Sequence, residues 1–454
     1  MSNNQAPQKK VRVVAITTMF FLFAMIAFVT NLAAPIGTVW QGHYSWAGMM
    51  GNLMNFAAYL FMGIPAGNML LRIGYKKTTL WALALGFIGI GVQYLSSLVG
   101  GDVALFNIDG QPVMLNFIIY LLGAFVCGFC VCMLNTVVTP MLTLLGGGGN
   151  RGNQLLQTGG SLNSLAATLT PVLVGILIGK VTENSSMSDV TPLLWIAMAV
   201  FALSFIVISF VHIPNPDSNI TKKHTKAPHS PWNFRHTVLG VIGIFFYVGT
   251  EVGIPGTLIF YLSDSTVSGI QENATSIATA VAAVYWLLML VGRTASSFIS
   301  GKVSSKTQLT VAAIVAICLV VGAIFTPSSV RLTMIGYSVE NGFTTATVPL
   351  SAVLLVLVGL CTSVMWGGIF SLAVEGLGRY TAQASGIFMM MVVGGGIMPF
   401  IQNIIARNAG YMASYWLVAA MLGYILYYAL VGCKNVNKDI PVDYEVGEMV
   451  ENSL

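Results

Sequence analysis

Residues 13–39 read VVAITTMFFLFAMIAFVTNLAAPIGTV, an apolar run without one charged side chain. A helix needs about 20 such residues to cross the ~30 Å hydrocarbon layer of a bilayer. In lipid every backbone N–H and C=O must pair within the chain, which leaves helices or a closed barrel. Barrel strands alternate apolar and polar positions over about ten residues, and this run does not alternate. It is therefore read as a membrane-spanning helix, too long for the apolar core of a cleavable signal and preceded by the basic residues Lys9, Lys10 and Arg12.

The rest of the chain repeats the pattern. Of its 454 residues 56% are hydrophobic and 8% charged, whereas a soluble chain carries about a quarter charged. Further spans are expected near 46–71, 78–98, 114–145, 154–179 and 191–213, then near 236–263, 273–300, 307–326, 348–375, 382–407 and 411–432. The predicted fold class is all-α integral membrane, with twelve helices in two pseudo-symmetric halves of six. The predicted boundaries are an N-terminal half over 1–213, a cytoplasmic linker over 214–235, a C-terminal half over 236–432 and an acidic tail over 433–454.

Charge orients the spans. With the N-terminus in the cytoplasm, only Lys180, Arg331 and Arg407 among the 20 Lys and Arg residues fall in outside loops, which instead gather Asp102, Asp109, Glu183, Asp189, Asp264, Glu272 and Glu340. That bias obeys the positive-inside rule and puts both termini in the cytoplasm. A formal charge of +5 without long basic runs argues against nucleic acid as a partner. Cys127, Cys130 and Cys132 have no neighbouring His, Asp or Glu and read as helix packing, so neither a metal nor a cofactor is expected. His212, His224, His229 and His236 surround the linker and read as solvated loop residues, and the acidic tail as solvated and mobile. Gly146–Gly149 lacks the Lys-Ser/Thr of a phosphate loop and reads as a turn. No cluster of His, Asp or Ser at a membrane boundary marks an enzyme.

After the second span comes Gly63–Ile64–Pro65–Ala66–Gly67, then the basic turn Arg72–Ile73–Gly74–Tyr75–Lys76–Lys77, echoed after the eighth span by Gly292, Arg293, Gly301, Lys302 and Lys306. The first loop resembles the signature between helices two and three of the major facilitator superfamily. Residues 245–253 (FFYVGTEVG), 370–381 (FSLAVEGLGRYT) and 392–399 (VVGGGIMP) resemble its fucose–galactose–glucose symporter family. The resemblance implies an importer of a hexose or deoxyhexose in a bacterial inner membrane. It would work as a monomer by alternating access, with the bilayer, the sugar and protons or sodium as partners. Proton-coupled members carry an Asp in the first helix shortly before a Pro and a Glu in the fourth, five residues before a Pro. The matching positions are Asn31, before Pro35, and Asn135, before Pro140, and amides do not titrate.

Glu251 is the acid near the middle of a span and the candidate proton-coupling residue. A charge there is costly, and its proton affinity depends on access to water, as coupling requires. A fixed gating role is the other reading. A sugar needs amides that donate and accept, plus an aromatic plane for stacking. The candidates are Asn31, Asn135, Gln157, Asn163, Tyr247, Tyr285, Trp286, Trp366 and Asn403. For the amides the alternative is an interhelical hydrogen bond; for Trp286 and Trp366 it is packing or an interfacial belt. Arg72, Lys76 and Arg293 are assigned to structure or gating through the two basic turns, and Glu375, paired with Arg379 or a basic loop, to a gate latch. With no central Arg or Lys clamp in view, the substrate is expected to be neutral. Rival readings are a nucleoside, amino-sugar or acidic-sugar transporter, a facilitative uniporter and a non-transporting sugar sensor.

Overall fold

The computed structural model describes residues 5–32, 36–37, 39–40, 43–44, 47, 50–108, 110–147, 149–178, 186–211, 213, 229–270, 274–338 and 342–442. The first five helices are α1 (Gln5–Asn31), α2 (Met50–Leu95), α3 (Leu115–Leu145), α4 (Gly149–Ile178) and α5 (Thr191–Phe210). Then come α6 (Arg235–Ser263), α7 (Ala274–Ile299), α8 (Ser305–Phe325), α9 (Leu350–Thr362), α10 (Met365–Ala373), α11 (Thr381–Met390), α12 (Gly394–Ala409) and α13 (Tyr411–Tyr427).

Among the described residues, ten helical stretches are long and apolar enough to cross a membrane. One of them, α2, has 46 residues, about 69 Å of helix at 1.5 Å per residue and so two crossings. It breaks at Gly74, whose φ of 79° is natural to glycine. With α4 the crossings number twelve. The tenth pairs α9 with α10 across a break at Ser363–Val364, and the eleventh pairs α11 with α12. Large apolar side chains such as Phe210, Phe298, Phe325 and Phe400 point outward, where lipid rather than water would meet them.

The segments between the third and fourth spans and between the ninth and tenth fold into antiparallel hairpins, β1 (Ala104–Ile108) with β2 (Gln111–Met114) and β3 (Arg331–Ser338) with β4 (Gly342–Pro349). The two hairpins hold equivalent places in the two sets of six spans, an element of symmetry that the span count did not anticipate.

Caps tie the basic end of the bundle together. Lys76 donates to the Ser209 carbonyl at 2.7 Å in the last turn of α5, where a cation suits both the free carbonyls and the helix dipole. Arg12 likewise reaches the Leu145 carbonyl at the end of α3. Three expectations are corrected here. His236 is buried, not solvated; its Nε2 meets the Glu375 carbonyl at 3.0 Å while Thr237 donates to the Ala373 carbonyl at 2.9 Å, so the pair closes the end of α10. The first part of the tail is docked, not free: Val442 accepts from the Arg379 amide, Asn437 accepts from the Arg235 amide, and Ile440 and Val442 pack on the core. Finally α1 starts at Gln5 and ends at Asn31, ahead of the predicted 39. Pro35, His212, His224, residues 214–228 and the tail beyond 442 lie outside the described residues.

Helices before residue 211 pack chiefly with one another, as do those after 229, and two seams join the groups: α2 with α11, and α4 with α7. In the first seam the backbones nearly touch. A Cβ on Gly386 would stand 2.9 Å from the Gly67 backbone, and one on Gly67 would stand 3.0 Å from the Ala382 carbonyl. Small residues are what permit such an approach. In the second seam Gln154 meets Gly301, so the end that bears the basic turns is closed.

Candidate functional site

The second seam contains a charge pair. Glu251 on α6 lies 3.1 Å from Arg293 on α7, with their side chains 15% and 14% exposed. The other arm of the guanidinium, Nη1, donates to Ser164 Oγ on α4 at 2.8 Å. One arginine thus joins an acid of its own helix group to a hydroxyl of the opposite group. Its stem runs over Gly160, where a Cβ would stand 3.5 Å from Arg293 Cδ. A residue with a larger side chain there would push the guanidinium away from Ser164. Assigning Arg293 to a basic turn is therefore corrected. The sequence pattern around Gly292 and Gly301 hid that Arg293 still lies within the span Ile277–Ile299, facing inward.

Tyr247, one turn before Glu251, is fully buried. Its ring lies 6.1 Å from Trp366 at 55°, and its hydroxyl lies close to both Glu251 and Arg293. Tyr285 shares a hydrogen bond of 2.9 Å with Thr362 beside the break in the tenth span. Trp286 is 43% exposed and packs edge-on to Tyr285. Residues seven apart lie within about 20° on a helix, so Trp286 shares the face of Arg293, which points to the opposite helix group. The outward stripe of α7, Val291 and Phe298, lies well over 100° away around the helix. Trp286 consequently faces the space between the groups rather than lipid.

Across the seam, Gln157 donates to the Val364 carbonyl at 3.2 Å in the break between α9 and α10. Gly367 lets the α4 amides in: a Cβ there would stand 2.7 Å from both Asn153 Oδ1 and Gln157 Nε2. Asn153 Oδ1 is buried against Gly367 without a hydrogen-bond partner. Asn153, Gln157 and Ser164 share one face of α4, and this polar stripe was the sequence signal for Ser164 and Asn153, neither of which was singled out. Buried Gln402 also leaves both amide atoms unpartnered against Gly253.

The remaining residues divide. Asn135 donates to Tyr59 Oη at 3.0 Å, tying the fourth span to the second. Asn163 donates to the Phe23 carbonyl at 2.8 Å, about 120° around α4 from Gln157. Asn31 donates to the Ala27 carbonyl of its own helix at 2.8 Å. Asn403 stands apart, in a cleft at the far end of the C-terminal group. Of the two partners expected for Glu375, Arg379 does not pair with it: Glu375 is exposed and Arg379 turns to the Tyr380 hydroxyl at 3.0 Å. Arg72 is exposed as well, while Lys76 is the helix cap described above. No metal-binding group of three His, Cys, Asp or Glu residues occurs among the described residues.

The sequence of the chain is similar to known proteins over almost its whole length. It is 29% identical over 427 residues to the glucose/galactose transporter of Brucella abortus, covering 93% of this chain and 94% of the relative. It is 20% identical over 435 residues to the L-fucose-proton symporter of Escherichia coli, covering 89% of each. The crystal structure of an Escherichia coli fucose:proton symporter superimposes with a TM-score of 0.74 at 19% identity, over 92% of this chain and 98% of the other, which shows a shared fold. The model of the Major Facilitator Superfamily matches residues 14–400. The twelve-span, two-seam architecture and the reach of that match together make this chain a member of the Major Facilitator Superfamily, a transporter and not an enzyme.

Proposed function

We propose that the protein imports a neutral monosaccharide, a hexose or deoxyhexose, through the inner membrane of a bacterium. The two helix groups, divided at the 214–235 linker, rock around the seam between α4 and α7, and one chain holds both moving bodies, so a monomer suffices. The observation that carries this reading is the inward face around Arg293, with an exposed Trp286 for an apolar sugar face and the α4 amides for hydroxyls. Glu251 cancels the charge of Arg293, so the centre presents no net charge; this favours a neutral sugar over an acidic one. The names of the relatives point to the same substrates. Lys and Arg gathered at the closed end favour a cytoplasmic side for that end and for both termini.

Glu251 is the proton carrier in this scheme. The positions of Asn31 and Asn135 offer no titratable group, whereas Glu251 is joined to a residue that spans both helix groups. Protonating it would release one arm of Arg293 and so alter a contact that holds the seam shut. Uptake of a panel of radiolabelled sugars into proteoliposomes tests the reading, with and without an inward proton gradient. Gradient-driven accumulation of one hexose, lost in Glu251→Gln, is the expected result. Accumulation on a sodium gradient alone would reject the proton route, equilibration without accumulation would identify a uniporter, and no sugar uptake would reject the substrate.

A further inference from the structure

About 20 Å along α6 from Glu251, at the end opposite the basic turns, a separate cleft of about 440 Å³ opens between α6, α12 and the start of α13. Phe260, Asp264, Asn403, Arg407 and Tyr411 line it. It contains one anion and one cation that do not pair with each other, set around the Tyr411 ring. Asp264 caps the short helix Ser265–Ser268, accepting from the Thr266 hydroxyl at 2.6 Å and the Thr266 amide at 3.0 Å. These hydrogen bonds hold its carboxyl below the ordinary carboxylate range, so it stays charged at neutral pH. Arg407 is exposed in the last turn of α12.

The cleft continues into an apolar ridge. Ile397, Phe400 and Ile404 are 42%, 67% and 46% exposed, and Phe400 lies seven residues before Arg407 on the same face of α12. Phe260, 52% exposed on α6, lines the cleft beside Asn403 and Arg407. The ridge belongs at acyl-chain depth and the cleft at headgroup depth, and aromatic and basic side chains favour that boundary. A water-soluble sugar would use the cleft and leave the ridge idle. An anionic lipid would meet Arg407 and be repelled by Asp264. We propose that the cleft binds the headgroup of a zwitterionic aminophospholipid, with phosphate at Arg407, ammonium at Asp264, and an acyl chain along Phe400 and Ile404.

Native mass spectrometry of the delipidated full chain tests this with phosphatidylethanolamine and phosphatidylglycerol of identical acyl chains. Wild type should retain phosphatidylethanolamine in preference. Arg407→Gln should reduce its occupancy about fivefold, the effect of one basic residue at a lipid surface. Asp264→Asn keeps the helix cap, since Asn caps as well as Asp, and should abolish the preference for the amine. Melting of both variants in lipid-free detergent should match wild type, so that lost binding is not lost folding. Equal binding of the two lipids, preference for phosphatidylglycerol, or a preference untouched by both variants would overturn the assignment.

Discussion

Ser164→Ala deletes a single hydroxyl, yet it should shift the balance between the two end states of the transporter. That hydroxyl accepts one arm of Arg293 at 2.8 Å across 129 residues of sequence and across the seam between the helix groups. Arg293 is 14% exposed, so water cannot readily replace the lost acceptor. A hydrogen bond to a charged group contributes about 1.5–3 kcal/mol. If the contact exists only while this end is closed, the closed population falls about 10- to 100-fold relative to the open one, at a factor of ten per 1.4 kcal/mol. The readout is the labelling rate of Gln154→Cys by an impermeant maleimide applied from the basic side, in a Cys318→Ser background that removes the exposed native thiol. Gln154 sits against Gly301 in the same seam. Labelling should rise at least about tenfold in Ser164→Ala and stay at the wild-type rate in Ser164→Thr, which keeps the hydroxyl. Equal rates in both, or a fall in melting temperature with no change in labelling, would refute the latch and leave Ser164 as packing.

Glu251→Gln should lower thermal stability, because breaking a buried ion pair costs about 3–5 kcal/mol by stranding the other charge; adding Arg293→Met should restore much of the loss, and a non-recovering double variant would mean that the pair is not coupled. Trp286→Ala should raise the sugar KM about 3- to 10-fold through lost stacking, with melting unchanged and Trp286→Phe partly restoring uptake; an unchanged KM would move Trp286 to the lipid face. Gly386→Leu should abolish uptake and raise Gln154→Cys labelling, since its side chain would strike the Gly67 backbone; wild-type uptake would contradict the tight seam. Lys76→Ala should cost only about 0.3–1 kcal/mol, the scale of a cation at a helix end, measured as a small shift in melting midpoint.

Much of the fold was legible because lipid imposes one-dimensional rules. Eleven of the twelve predicted spans overlap helices within a few residues at both ends, as at Leu115–Leu145 and Thr191–Phe210. The hairpins are harder to see: Asp109–Gly110 is a strong two-residue turn signal, but loop charge does not distinguish a hairpin from an open loop. Of the site, Glu251 stood out because an acid inside a span is conspicuous. Arg293 did not, since it shares its neighbourhood with a basic turn, and so no central Arg or Lys clamp is visible in the sequence.

Hydropathy and charge asymmetry are properties of segments, so the amino-acid sequence by itself determined the membrane, the number of crossings and the duplicated plan. Pairing across the bundle is a property of faces brought together from far apart in the chain. Only packing decided that Arg293 bridges Glu251 and Ser164, that Gln157 reaches the break at Val364, that Asn163 turns instead to Phe23, and that Glu375 and Arg379 stay apart. An amide inside a span can satisfy itself on its own helix, on a neighbour or on a substrate at similar cost, and helix rotation and tilt choose among these outcomes.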